Sequence, residues 1–342
     1  MIRIRPHWTV PAVGVGGLAI ATLGWLLEPA AFYAGWLAAV TLLGAWSLGS
    51  MALLLIHALT GGRWGDALRP SLRIGLCSLP LLLLAVVPLL AGLRQLYPWA
   101  RPDHYAGNHF YLNAAFFETR GVVYLVLWFG LGWLTLRARD LSRIAPVGLI
   151  VLALTTTCAA IDSTMSLDPR FVSSIYGMIA GAGMGLLALS AAVLFTVTEV
   201  QPAVREDFGK LLLALVVLWI YLDFMQLLIV WQSDLATEAP WYLARSRGFW
   251  GATRLVIAAG HFALPFFLLL SPRLQRSQTV VAGVAGLLVA MEVLRAWWTV
   301  LPALGLAPGW VDLACVTGLG GVAIWFAFWA ATRPLLADAR HV

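Results

Sequence analysis

Charge is scarce in this sequence. Aspartate, glutamate, lysine and arginine make up 11% of the 342 residues, against about 25% in an ordinary soluble domain. That shortage argues against a fold whose surface faces water throughout. Lysine is represented by Lys210 alone, and cysteine by Cys77, Cys158 and Cys315. The cysteines form no CxxC spacing, so they indicate neither a zinc site nor an iron–sulfur cluster; buried packing within helices is expected for all three. There is no Walker motif or other phosphate loop, which speaks against direct use of ATP. A b-type haem would need facing histidines at matched depth, and only His57 and His261 fall within apolar stretches, His57 near a helix end.

What is abundant is apolar length. Hydrophobic residues make up 61% of the chain, and a membrane crossing needs roughly 20 mostly apolar residues. Ten runs qualify: about 10–27, 33–59, 74–93, 119–136, 146–167, 172–197, 211–231, 249–270, 279–301 and 312–332. Linkers are short and no boundary interrupts them, so an all-α bundle of about ten transmembrane helices, one domain over 1–342, is predicted. The opening, with Arg3 and Arg5 before the first apolar run, lacks a small-residue cleavage site and reads as a retained span.

The net charge of +6 follows from topology, with no nucleic-acid partner implied. With the N-terminus inside, the inner segments hold Arg3, Arg5, Arg63, Arg69, Arg73, Arg137, Arg139, Arg143, Arg205, Lys210, Arg273, Arg276, Arg333 and Arg340. The outer ones hold Arg94, Arg101, Arg120, Arg170, Arg245 and Arg247, while Arg254 and Arg295 lie inside spans. The bias predicts both termini in the cytoplasm of a bacterial inner-membrane protein.

Gly177, Gly181 and Gly185 repeat every four residues and predict one close-packing helix face. Tyr97, Trp99, Trp241, Tyr242, Trp297, Trp298 and Trp310 gather at helix ends and read as interfacial anchors. Pro80, Pro88 and Pro265 predict kinks. The outer segment 97–119, with Arg101, Asp103, His104, Asn108, His109 and Glu118, reads as a surface loop with a short interfacial helix, or as a docking face for a periplasmic partner.

An ionisable group deep in the bilayer costs several kcal/mol and needs a reason. Counting along the spans puts Asp223, His261 and Glu292 near the middle of three consecutive helices. Arg295 follows Glu292 at i, i+3 and can pair with it. Asp162 lies in the outer third of its span, with Asp168 just beyond. Two readings fit: satisfied pairs within the bundle, or midplane groups and outward acids forming part of a proton path.

Two segments narrow the function. The run Ile161-Asp162-Ser163-Thr164-Met165-Ser166-Leu167-Asp168-Pro169-Arg170-Phe171, with Ser173, Ile175, Tyr176 and Gly177, resembles a signature of the ActF subunit family of alternative complex III, a quinol:cytochrome c oxidoreductase. The second begins Asp207-Phe208-Gly209-Lys210, passes through Trp219-Ile220-Tyr221-Leu222-Asp223-Phe224-Met225-Gln226, and closes at His261-Phe262-Ala263-Leu264-Pro265-Phe266. Asn113, Phe116-Phe117 and Arg120 fit the family's upstream region. The resemblance covers roughly 108–275, about half the chain. Departures are Asp234-Leu235-Ala236-Thr237-Glu238 in place of a proline-containing turn, Met225-Gln226 in place of a Ser-Gln pair, and Phe171 in place of a tryptophan.

The resemblance implies a non-catalytic, NrfD-like membrane subunit that supports assembly and conducts protons. It binds no haem, cluster or metal itself, with quinone left open as a ligand. Its implied partners are an NrfD-like sister membrane subunit, an iron–sulfur subunit and a multihaem c-type cytochrome. Proton-path candidates are Asp162, Asp168, Asp223, His261 and Glu292, with Arg295, Tyr221, Gln226 and Tyr176 in support. Alternatives are a quinone-binding anchor of another oxidoreductase, and a proton-coupled secondary transporter, for which the sequence offers no clear internal repeat.

Overall fold

The computed structural model describes residues 9–101 and 110–333. Among the described residues, 85% are helical and none lies in a strand. Ten helices are long and apolar enough to cross a membrane: α1 Thr9–Leu27, α2 Pro29–Thr60, α3 Arg63–Ala91, α4 Ala114–Arg137, α5 Ala145–Leu167, α6 Tyr176–Thr196, α7 Pro202–Ser233, α8 Gly248–Leu269, α9 Gln278–Leu304 and α10 Trp310–Ala331. The chain is a multi-pass membrane protein. Its ten runs sit where apolar length puts them. Asp103, His104, Asn108 and His109 of the expected docking face lie outside the described residues, as do Arg3, Arg5 and Arg340.

The ends of the spans follow local chemistry. Proline stands in the first turn of α2, α5 and α7, where its missing N–H removes no helical hydrogen bond. The Asn113 side chain caps α4 by accepting the Phe116 amide at 2.8 Å. Helix α2 stops at Gly61 and Gly62, with φ of +66° and +103°, a conformation other residues avoid. Helices α3 and α7 begin about ten residues before their apolar runs. Their first two turns carry charge and take part in a rim of ion pairs, Arg63 of α3 to Asp207 of α7 at 3.0 Å, and Arg276, before α9, to Glu206 of α7 at 2.7 Å. Hydropathy cannot see such extensions.

Two of the three prolines break regular helix. Helix α3 is interrupted at Ser78, two residues before Pro80. In α8 a π turn over Ala258–Ala263 precedes Pro265, the kind of irregularity that a missing donor and a widened turn produce together. Pro88 lies inside the uninterrupted segment Leu79–Ala91.

Helices α2 and α6 are central, with 72% and 56% of their apolar windows buried; α1 and α4 are peripheral, at 22% and 17%. The expected glycine face on α6 is corrected by the packing. Only Gly177 is tight there, against Thr157; Gly181 faces open space and Gly185 makes an ordinary contact. Close backbone crossings are made by other glycines: Gly49 of α2 against the Met184 carbonyl of α6, and Gly17 of α1 against α10, where a Cβ would stand 2.6 Å from the Gly318 amide nitrogen.

The aromatic anchors are also corrected. Tyr97, Trp99, Trp241, Tyr242 and Trp298 are all buried in protein, and Trp310 is the exposed one at 43%. Tyr97 and Trp99 donate to the carbonyls of Ser163 and Ser166, tying segment 97–100 to the end of α5. Trp241 stacks on Phe171 with ring centroids 4.5 Å apart. The same rings that favour a headgroup layer also fill an end of the bundle, and composition alone does not separate the two uses.

Candidate functional site: a buried charge cluster beside a cavity

Helix α9 brings Glu292 and Arg295 to one face, and they pair as their spacing predicts. Arg295 donates from Nε at 2.8 Å and from Nη2 at 2.6 Å, both to Glu292 Oε2. The other oxygen, Oε1, lies 2.9 Å from His261 Nε2. Glu292 and His261 are completely buried. The histidine comes from the π turn of α8, so the irregular turn that precedes Pro265 is also the element that presents it. Among the described residues His261 Nδ1 has no hydrogen-bond partner, nor has Nε1 of Trp219 in α7, whose ring centroid is 4.0 Å from the imidazole. Space for the cluster comes from Gly183 on α6. A Cβ there would stand 2.5 Å from Arg295 Nη2 and 3.2 Å from Glu292 Oε1.

Asp223 is treated differently. It projects from α7 toward the same cluster, in the neighbourhood of Arg254, Arg295 and His261. Yet no side chain or amide among the described residues comes within hydrogen-bonding or ion-pairing distance of its carboxylate. Arg254, in the first turns of α8, is equally without a carboxylate; its guanidinium rests near the rings of Tyr242 and Trp298, at 5.3 and 6.0 Å from their centroids.

Asp223 and Arg295 share the wall of a cavity of about 290 Å³ with Gln226, Tyr176, Thr164 and Asp162. The rest of the lining is aliphatic and aromatic, and the exposed residues Leu90 and Val122 stand at its edge between α3 and α4. From the cavity a polar chain runs outward. Gln226 donates to the Tyr242 hydroxyl at 3.1 Å and accepts from Ser173, in the loop before α6, at 2.7 Å. Behind it Arg245, only 2% exposed, donates to the carbonyls of Trp241, Trp298 and Thr299. Burial outweighs the opposing influence of Tyr176 and of the more distant Asp168 carboxylate, and pulls the Arg245 guanidinium down to a pKa of about 10.

Asp162 lies across the cavity, in a closed arrangement. Arg120 donates to both of its oxygens at 2.9 Å, and the Tyr124 hydroxyl adds a bond of 2.8 Å. Arg120 is itself fixed by the Tyr111 carbonyl and by the faces of Tyr111 and Phe116.

Of the expected residues, the structure gathers His261, Glu292, Arg295, Asp223 and Gln226 at one place. Tyr176 joins them on the cavity wall, its hydroxyl donating to Thr164 at 2.9 Å. Asp168 is not brought in; it sits beyond the cavity, 3.5 Å from Arg170. Tyr221 is not brought in either, being 57% exposed on the opposite side of α7. Three contributors were not singled out from sequence. Arg254 carried a usable signal as an arginine within a span and Ser173 one as a position of the first resembling segment, whereas Gly183 carried none.

Fold and site together define a multi-pass membrane protein organised around a buried charge cluster and a cavity at its side. Compared with models of known protein families the chain matches none, and no curated protein matches its sequence.

Proposed function

We propose that the chain is an integral, non-catalytic subunit of a respiratory quinol:cytochrome c oxidoreductase of the alternative complex III type, and that it conducts protons across part of a bacterial inner membrane. The observation that carries the proton role is the unbonded Asp223 carboxylate beside the His261–Glu292–Arg295 cluster. Imidazole and carboxylate are groups that exchange protons. Arg295 holds Glu292 in place, His261 supplies a second exchangeable site, and Asp223 is free to accept a proton and release it to the cavity. Gln226, Tyr242 and Ser173 line the way toward the end where Asp168 lies. The resemblance of the segments around Asp162 and Asp223 to ActF supports the complex, with its NrfD-like sister subunit, iron–sulfur subunit and multihaem cytochrome as partners. The arginine distribution supports cytoplasmic termini.

The test is purification from native membranes followed by proton measurements. A multihaem c-type cytochrome and a second membrane subunit should copurify. In that preparation Glu292→Gln should lower proton release per electron while quinol oxidation continues. A stable, partner-free chain, or undiminished proton release, would count against the reading.

A second reading is favoured by the cavity. Its apolar walls, with Tyr176, Asp223, Gln226 and Arg295 exposing polar groups, suit an isoprenoid quinone, and the chain would then be an NrfD-like quinone-binding anchor of an oxidoreductase. Saturable quenching of tryptophan fluorescence by a quinone analogue, lost on substituting the cavity residue Tyr176, separates this reading from the first.

A further inference from the structure

Tyr221 is the one described tyrosine whose hydroxyl has no partner among the described residues. Tyr97 bonds the Ser163 carbonyl, Tyr124 the Asp162 carboxylate and Tyr176 the Thr164 hydroxyl. Tyr33 accepts from Trp25, Tyr242 accepts from Gln226, and Tyr111 bonds Asp162. Tyr221 instead stands 57% exposed, midway along the apolar stretch 211–231. Acyl chains offer no acceptor, and the hydrocarbon layer is about 30 Å thick, so a ring reaching about one helical turn of 5.4 Å does not escape to the headgroups. The surrounding face is bulky and equally uncovered, with Val217, Phe224 and Trp231 41%, 51% and 73% exposed. Val217 precedes Tyr221 by four residues and Phe224 follows it by three, and with Trp231 they lie on the side of α7 away from Trp219, Asp223 and Gln226.

We infer that this outward face of α7 docks a transmembrane helix of a second, different membrane subunit, one that presents a hydrogen-bond acceptor at mid-membrane depth. An acceptor is what distinguishes such an occupant from lipid, since hydrocarbon leaves the hydroxyl unsatisfied. The inference rests on the proposed function for the existence of a second membrane chain; the location of the contact comes from Tyr221 and the face around it.

The test places a photoreactive benzoyl-phenylalanine at Tyr221 in native membranes, with the same probe at the 70% exposed Leu84 of α3 as the lipid-facing reference. The expected product is a crosslink to a transmembrane peptide of a different integral-membrane protein, carrying a polar acceptor within reach. Labelling of lipid alone, as at Leu84, would overturn the inference, and so would a crosslink to a second copy of this chain or to an acceptor-free helix. Tyr221→Phe provides a second measurement. It should leave the amount of the chain in native membranes unchanged, because no internal bond is lost. It should weaken retention of the partner about three-fold, the size of one interhelical hydrogen bond in a membrane; unchanged retention counts against the inference. If the crosslink forms without a copurifying multihaem cytochrome, the complex assignment fails and the docking face stands. If the cytochrome copurifies and position 221 labels only lipid, the reverse holds.

Discussion

Glu292 and Asp162 are both buried carboxylates held by arginine, on opposite sides of one cavity, and they differ in what else they touch. Asp162 is bonded twice by Arg120 and Tyr124 adds a third bond, across the gap between α4 and α5, while Tyr111, before α4, bonds it as well. None of those donors gives up a proton readily. Glu292 receives its arginine from its own helix and turns its second oxygen to His261, with the unbonded Asp223 close by. One arrangement ties two helices together. The other joins a fixed anion to groups that can change protonation. An arginine partner alone therefore does not mark a carboxylate as structural; the remaining donors decide.

The sharpest way to break that comparison is to remove each arginine. Leaving one charge of a buried pair without its partner costs about 3–5 kcal/mol. Arg120→Gln should reach that range in thermal or denaturant unfolding in detergent, because Asp162 keeps only the uncharged Tyr124 and Tyr111 hydroxyls as side-chain partners. Arg295→Gln should destabilise similarly, but adding Glu292→Gln should recover a large part of the loss, since the orphaned charge goes with it. For the Asp162 pair, Asp162→Asn on top of Arg120→Gln should recover less, because the tie between helices is lost in either case. Equal recovery at both sites would make the two pairs alike.

Packing gives the next largest effect. Gly183→Ala puts a methyl group 2.5 Å from an Arg295 nitrogen, and overfilling a packed interior costs about 1–3 kcal/mol. The change should lower stability and shift the Glu292 site without altering any charge. Gly181→Ala, two residues away and facing open space, is the matched control and should be neutral. If both are neutral, the cluster is looser than its distances imply.

Asp223→Asn separates function from stability. No protein bond is removed, so the unfolding free energy should move by less than about 1 kcal/mol, while proton transfer by the assembled complex falls. Asp162→Asn should do the opposite, costing stability and leaving proton transfer intact. A loss of proton transfer in both would join the two carboxylates into one route through the cavity.

Much of this was legible in the sequence. Ten apolar runs place ten helices, and the i, i+3 spacing of Glu292 and Arg295 places their pair, because helical geometry fixes both. Counting also set Asp223, His261 and Glu292 at similar depth. What it could not set is orientation around the helix axis relative to other chain segments. Tyr221 and Asp223 are two residues apart and face opposite ways, and only the packing of α7 against its neighbours says which is inward. The glycines show the same limit: Gly177, Gly181 and Gly185 have the regular spacing, yet the contact that matters is made by Gly183. Tryptophans at helix ends suit a membrane interface and a protein core equally well, and Trp241 and Trp298 fell to the core.

A third carboxylate–arginine pair calibrates the other two from the water side. Asp140 lies in the short connection between α4 and α5, bonded to Arg143 Nε at 2.9 Å and to the Ser142 hydroxyl at 2.6 Å. The Ser142 hydroxyl first, and then the Arg143 charge, hold its pKa below the usual 3.8. A carboxylate whose folded value is depressed adds stability that is present above the unfolded value and lost as pH falls through the folded one. The expected midpoint, followed by carbon-13 shifts of the labelled Asp140 carboxyl, therefore lies below 3.8, and Ser142→Ala should move it up further than Arg143→Gln does. Both shifts should leave the unfolding midpoint near neutral pH almost unchanged, because an exposed pair is screened by water and salt. A substantial loss of stability from either change would mean that the contrast between Asp162 and Glu292 owes less to burial than their geometry indicates.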